Sequence, residues 1–97
     1  VSLHVGHLGI VRLTGRHLED LRRRCYDRDR HVCVWPGCGV WLRWLRGYSD
    51  SMHMAHIRGR GAGGSDTIDN VRSLCFHHHI EVEHGGGGGK VVPHRTR

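Results

Sequence analysis

The sequence has no long apolar run; nothing in it approaches the roughly 20 consecutive apolar residues a membrane-spanning helix needs. Its opening stretch, Val1 to Leu13, is broken by His4, His7 and Arg12, so it lacks the apolar core of a secretory signal. Apolar side chains are scarce throughout: 37% of the 97 residues are hydrophobic and 15 are glycine. One small domain fits in that length, and its core must be thin enough to call for a metal or disulfide staple. Lysine is nearly missing, Lys90 being the only one, so the formal charge of +6 rests on arginine. Planar guanidinium groups pair with phosphate through two parallel hydrogen bonds. A GC-rich genome would give the same composition, so charge alone indicates a polyanionic partner and no reaction. No internal repeat is present.

What is abundant is cysteine and histidine: four Cys and eleven His. With no membrane segment or signal core, the expected compartment is the reducing cytoplasm, where closely spaced Cys and His read as ligands. A fragment of a secreted toxin is the alternative.

Along the chain, residues 1–30 read as an N-terminal extension with a strand near Gly9–Leu13 and a helix over about 15–28. Thr14 is its expected N-cap, and Leu18, Leu21 and Cys25 form its apolar stripe. Cys25 on that stripe reads as a small buried hydrophobe. Val40, Trp41, Trp44 and Leu45 recur at i, i+1, i+4, i+5, which predicts one or two helical turns with the Trp rings in the core. Short strands are expected at Met52–Ile57 and Val71–Leu74, separated by a Gly-rich loop, and a helix from Cys75 to His84. A five-glycine run then opens a flexible basic tail, 85–97.

Cys33 and Cys38 are separated by four residues, Cys75 and His78 by two. Two close pairs of soft ligands, far apart in sequence, form the usual pattern of a tetrahedral structural zinc site. Pro36-Gly37 lets the first pair double back, and a helical turn brings Cys75 and His78 to one side. His77 competes with His78 for the fourth position, although spacing favours His78; disulfides or unrelated free thiols are the other readings. A bound Zn2+ would supply folding free energy that the core lacks.

Ordered residues follow: His56-Ile57, a basic loop with Gly63-Gly64, Asn70, then Leu74-Cys75-Phe76-His77-His78-His79. With the Cys33/Cys38 knuckle this order, spanning residues 31–84, resembles the HNH endonucleases, and small stand-alone phage and prophage members in particular. The resemblance implies an α+β fold: a small zinc-stabilised ββα-metal domain, treble-clef-like, with the N-terminal helix added. It implies an enzyme hydrolysing DNA, double-stranded by expectation, with His56 as general base, since an imidazole of ordinary pKa accepts a proton at neutral pH. His79 is then the protein ligand of a catalytic divalent cation, Mg2+ or Mn2+, with Ni2+ and Zn2+ as further candidates. Asn70 braces the loop that holds His56.

Glu83, four residues after His79, is either a second ligand to that cation or an ordinary exposed carboxylate. Where many HNH enzymes carry a metal ligand just before the general base, this chain has Ala55. His53, two residues earlier, is either a surface strand residue or the group that completes the site. Arg58 and Arg60, and with them Arg72, are the expected nucleic-acid contacts. Two other classes stay open: a nucleic-acid-binding module that has lost the chemistry, and a structural zinc domain for protein interaction.

Overall fold

The structure, a computed structural model, describes residues 3–5 and 9–83. The glycine run and the basic tail lie outside them. The chain forms a small mixed helix-and-strand domain. Strands β1 (Leu3–Val5) and β2 (Val11–Leu13) pair antiparallel, with Leu3 opposite Leu13. Helix α1 spans Gly15–Arg28. Strands β3 (His53–His56) and β4 (Val71–Leu74) form a second antiparallel pair, His53 opposite Leu74 and His56 opposite Val71. A widely wound helical segment of π type, His77–Glu83, closes the described chain. Among the described residues no helix is long and apolar enough to cross a membrane.

Helix α1 lays Leu21, Cys25 and Tyr26 across β3 and β4, where they meet Cys33, Leu42, Met52, Ala55, Val71 and Leu74 to form the core. Cys25 is fully buried, and burial pushes its thiol up to about 11, as befits an inert core residue. Thr14 occupies the N-cap position in extended backbone, but its side chain makes no capping bond. The far end of α1 is tied down instead. Arg28 donates to the carbonyls of Ile68 (2.6 Å) and Val71 (2.7 Å), and Asp29 accepts the Ser73 amide at 2.8 Å. Burial would raise the Asp29 pKa, but Arg28 and the Ser73 amide and hydroxyl outweigh it and hold the carboxyl below its ordinary value.

Residues 40–45 do not form the helical turns that their spacing suggests. Residues 40–43 run extended, Trp41 bridging Val32 and Arg43 bridging Ser51, and the chain bends at Trp44 and Leu45. Leu42 therefore points inward and is completely buried, while Val40, Trp41 and Leu45 are about half exposed. The reason lies in the knuckle before it. After Cys38 the chain must return alongside His31–Cys33, where the Leu42 amide donates to the His31 carbonyl at 2.7 Å and the Tyr26 hydroxyl to the Leu42 carbonyl at 2.8 Å. That return needs a two-residue period, and Leu42 takes the core position expected of a Trp. Trp44 is half-buried under the guanidinium groups of Arg22 (4.3 Å) and Arg23 (4.9 Å).

Candidate metal centre and adjoining cleft

Cys33, Cys38, Cys75 and His78 come together with all four donor atoms within 4.8 Å of one another. The His78 Nδ1 lies 3.7 Å from the Cys33 Sγ and 3.3 Å from the Cys75 Sγ. A zinc tetrahedron built from Zn–S of ~2.3 Å and Zn–N of ~2.0 Å has edges of roughly 3.5–3.8 Å. The donor set therefore fits a structural zinc ion. None of the four cysteines is in a disulfide. His77 is excluded from the group by geometry: its Nδ1 bonds the Glu81 carboxylate at 2.7 Å on the exposed side of the helical segment.

The local fold explains the convergence. Gly37 and Gly39 take positive φ (84° and 71°), which turns Cys33 and Cys38 toward each other. The Cys33 amide donates to the Val40 carbonyl (2.9 Å) and the Cys38 amide to the Trp35 carbonyl (2.9 Å). Val34 bonds Ser73, attaching the knuckle to β4 just before Cys75. The Trp35 ring stacks on His78 at 5.0 Å and 4° and fixes the plane of the imidazole.

A cleft of about 400 Å3 lies beside this centre, lined by His56, Ile57, Gly59, Arg60, His79 and Glu83. His56 and His79 thus share one cavity although β4 and the whole loop separate them in sequence. His79 also lines a second cleft of about 430 Å3 with His53, Arg22 and Arg46. Between the two, the Nδ1 atoms of His53 and His79 stand 3.0 Å apart. At that distance the two rings share a hydrogen bond, one Nδ1–H donating to the other Nδ1. Burial lowers the His53 pKa, with Arg22 adding to the effect. Ala55 is buried in the core and offers no donor.

Glu83 faces the cleft, but its carboxylate is paired with Arg72 at 2.8 Å. Arg72 in turn lies over Trp35 at 5.3 Å, half-buried, and its Nε is buried without a hydrogen-bond partner among the described residues. Arg58 and Arg60 are more open. Arg58 donates from Nε to the Ala62 carbonyl (2.9 Å), and Arg60 reaches Asp66 (3.1 Å) with about half of its side chain exposed.

The loop carrying these arginines is closed by Asn70. Its Oδ1 accepts the Arg58 amide at 2.9 Å, and its Nδ2 donates to the carbonyls of Arg58 (3.1 Å) and Ser65 (2.9 Å). Gly64 makes that closure sterically feasible: a Cβ there would lie 1.7 Å from the Arg58 carbonyl oxygen and 2.9 Å from the Asn70 Nδ2. Backbone cannot yield by that much. Gly64→Ala is expected to cost roughly 2–4 kcal/mol, lowering the melting temperature by about 10–20 °C in thermal unfolding. A melting curve superimposable on the parent's would show that the loop closes in another way.

Sequence reasoning missed Asp66. It is completely buried, with Oδ1 at 2.8 Å from His56 Nε2, and Oδ2 accepting the Leu13 amide (2.9 Å) and Arg60. Burial would raise its pKa, but the Leu13 amide, His56 and Arg60 together hold it below the ordinary carboxylate value. The N-terminal hairpin is thus a buttress for the loop. The Val11 amide donates to Ser65 Oγ (3.0 Å), and Arg12 donates to the Gly64 and Arg60 carbonyls. Comparison with known proteins finds no matching family model, no matching curated protein and no matching solved structure.

Proposed function

We propose that this chain is a metal-dependent endonuclease of the HNH type that hydrolyses phosphodiester bonds in DNA. The observation that carries the reading is the cleft shared by His56, Arg60 and His79 on an antiparallel strand pair and the helical segment after it, next to a Cys3His group. Zinc ligation requires neither His56 nor His79, so their meeting in one cleft supports a second role.

His56 is the general base, accepting the proton of the attacking water. Asn70 holds the Arg58 end of the loop and so fixes where β3 delivers His56. His79 and His53, whose Nδ1 atoms lie 3.0 Å apart, would hold the divalent cation, which would supply charge stabilisation at the phosphate and the departing oxygen. An imidazole pair favours a borderline first-row ion such as Ni2+ or Zn2+ over Mg2+ and Mn2+, which prefer oxygen. Glu83, held by Arg72, shapes the wall of the cleft.

Arg58 and Arg60 are the residues that pair with phosphate. The double replacement Arg58→Ala with Arg60→Ala should weaken binding to any duplex and lower the slope of log K against log salt by about 0.9 for each arginine–phosphate pair removed. Fluorescence anisotropy over a salt series measures this, and an unchanged slope assigns both side chains to solvated surface.

Ala55 favours a second reading, a zinc-stabilised nucleic-acid-binding module without activity, because the position offers no ligand. Plasmid nicking by the zinc-loaded protein with Mn2+, Ni2+, Mg2+ or no added divalent ion decides between them. Ion-dependent conversion of supercoiled to nicked plasmid supports the nuclease; duplex binding in a mobility shift with no conversion under any ion supports the module.

A further inference from the structure

We infer that Asp66 is the positioning residue of His56: it fixes the imidazole in the tautomer that carries its proton on Nε2, leaving Nδ1 as the ring's proton acceptor. The role of that acceptor in hydrolysis rests on the nuclease reading above, whereas the tautomer does not.

The two oxygens of the carboxylate have different partners. Oδ2 accepts two N–H groups, the Leu13 amide at 2.9 Å and Arg60 Nη2 at 3.1 Å. Oδ1 lies 2.8 Å from His56 Nε2, with Arg12 Nη1 near it at 3.8 Å. Asp66 is ionised, so it only accepts, and the proton between Oδ1 and Nε2 must belong to the imidazole. The pair is shielded: the Asp66 side chain is completely buried and that of His56 is 14% exposed. Among the described residues Nδ1 has no protein partner, and the ring borders the cleft that also holds Arg60 and His79.

The same donors make Asp66→Asn a sharp test. An asparagine must place its single oxygen where Leu13 and Arg60 donate, since the opposite orientation sets its NH2 against two N–H groups. Its NH2 then faces His56 Nε2 and donates to it, driving the imidazole proton to Nδ1 and removing the acceptor. Size and the Leu13 and Arg60 bonds are preserved, so the loop has no reason to open. An aspartate-to-asparagine change of this kind beside a catalytic histidine costs about 10⁴-fold in serine proteases through the wrong tautomer.

The experiment uses the full chain with zinc added, 15N-labelled at histidine, at about pH 8 where histidine is ordinarily neutral. Long-range 1H–15N spectra report which ring nitrogen carries the proton, with His56→Ala identifying the resonance. The parent should show the Nε2–H form of His56 and the Asp66→Asn protein the Nδ1–H form, with kcat for plasmid nicking reduced about 10²–10⁴-fold and KM little changed. An Nδ1–H form in the parent overturns the proposal, whatever the variant does. So does an unchanged tautomer in Asp66→Asn, or an unchanged kcat in it where the parent nicks plasmid. An Nε2–H parent that switches tautomer in the variant, but with no nicking by either, upholds the positioning and sinks the nuclease reading instead.

Discussion

Removing the zinc, or replacing Cys38 by Ser, is expected to abolish cooperative unfolding altogether. The side chains that form the core are few, and one of them, Cys33, is itself a ligand. The knuckle and the helical segment His77–Glu83 meet through the donor group and the Trp35–His78 stack, so without the ion their association rests on little apolar area. Structural zinc contributes an apparent ~10–16 kcal/mol in small zinc domains, about the whole stability of an ordinary one. Differential scanning calorimetry with and without a strong chelator gives the test. A chelated protein that keeps the parent's melting transition would reduce the four residues to an incidental cluster.

His79→Ala and His56→Ala are expected to fail in different ways. Loss of His79 leaves His53 as the one imidazole of the pair, so cation affinity should fall by at least the roughly 10–100-fold that loss of an outer-shell partner costs, and activity should return in part as the divalent ion is raised. Loss of His56 removes the base and leaves the His53–His79 pair in place, so nicking should fall by about 10²–10⁴-fold at every ion concentration. Ion titrations of nicking rate for the two variants separate the cases. Rescue of His56→Ala by excess ion would make His56 a ligand rather than a base.

The Cys3His group was legible in the sequence because its chemistry is rare and its spacing local. Four cysteines leave few ways to choose a set, and the Pro36-Gly37 turn and the Cys75–His78 turn each bring two donors together unaided. Helix α1 was legible in its stripe, Leu21 and Cys25 falling on the buried face. The stretch Val40–Leu45 was not, because a helical recurrence of apolar residues said nothing of the return path that the knuckle imposes. His53 illustrates a partial reading. Strand alternation puts it on the face of Ala55, but only the packing of the helical segment decides that His79 meets it there. Asp66 lay beyond reach. In sequence it is one acid in a Gly-Ser-Asp-Thr loop, and its burial depends on an amide at Leu13, delivered by a hairpin whose place no local pattern encodes.

Hydrolysis of DNA in the cleft between His56 and His79 is the proposal on which the rest depends. The most direct measurement is the rate of supercoiled-plasmid nicking by the parent and by His56→Ala, purified side by side with equal zinc content and assayed with Mn2+ or Ni2+. The expected result is ion-dependent nicking by the parent and a rate at least about 100-fold lower in the variant. Equal rates in the two proteins, or no nicking by the parent with any divalent ion, would contradict it.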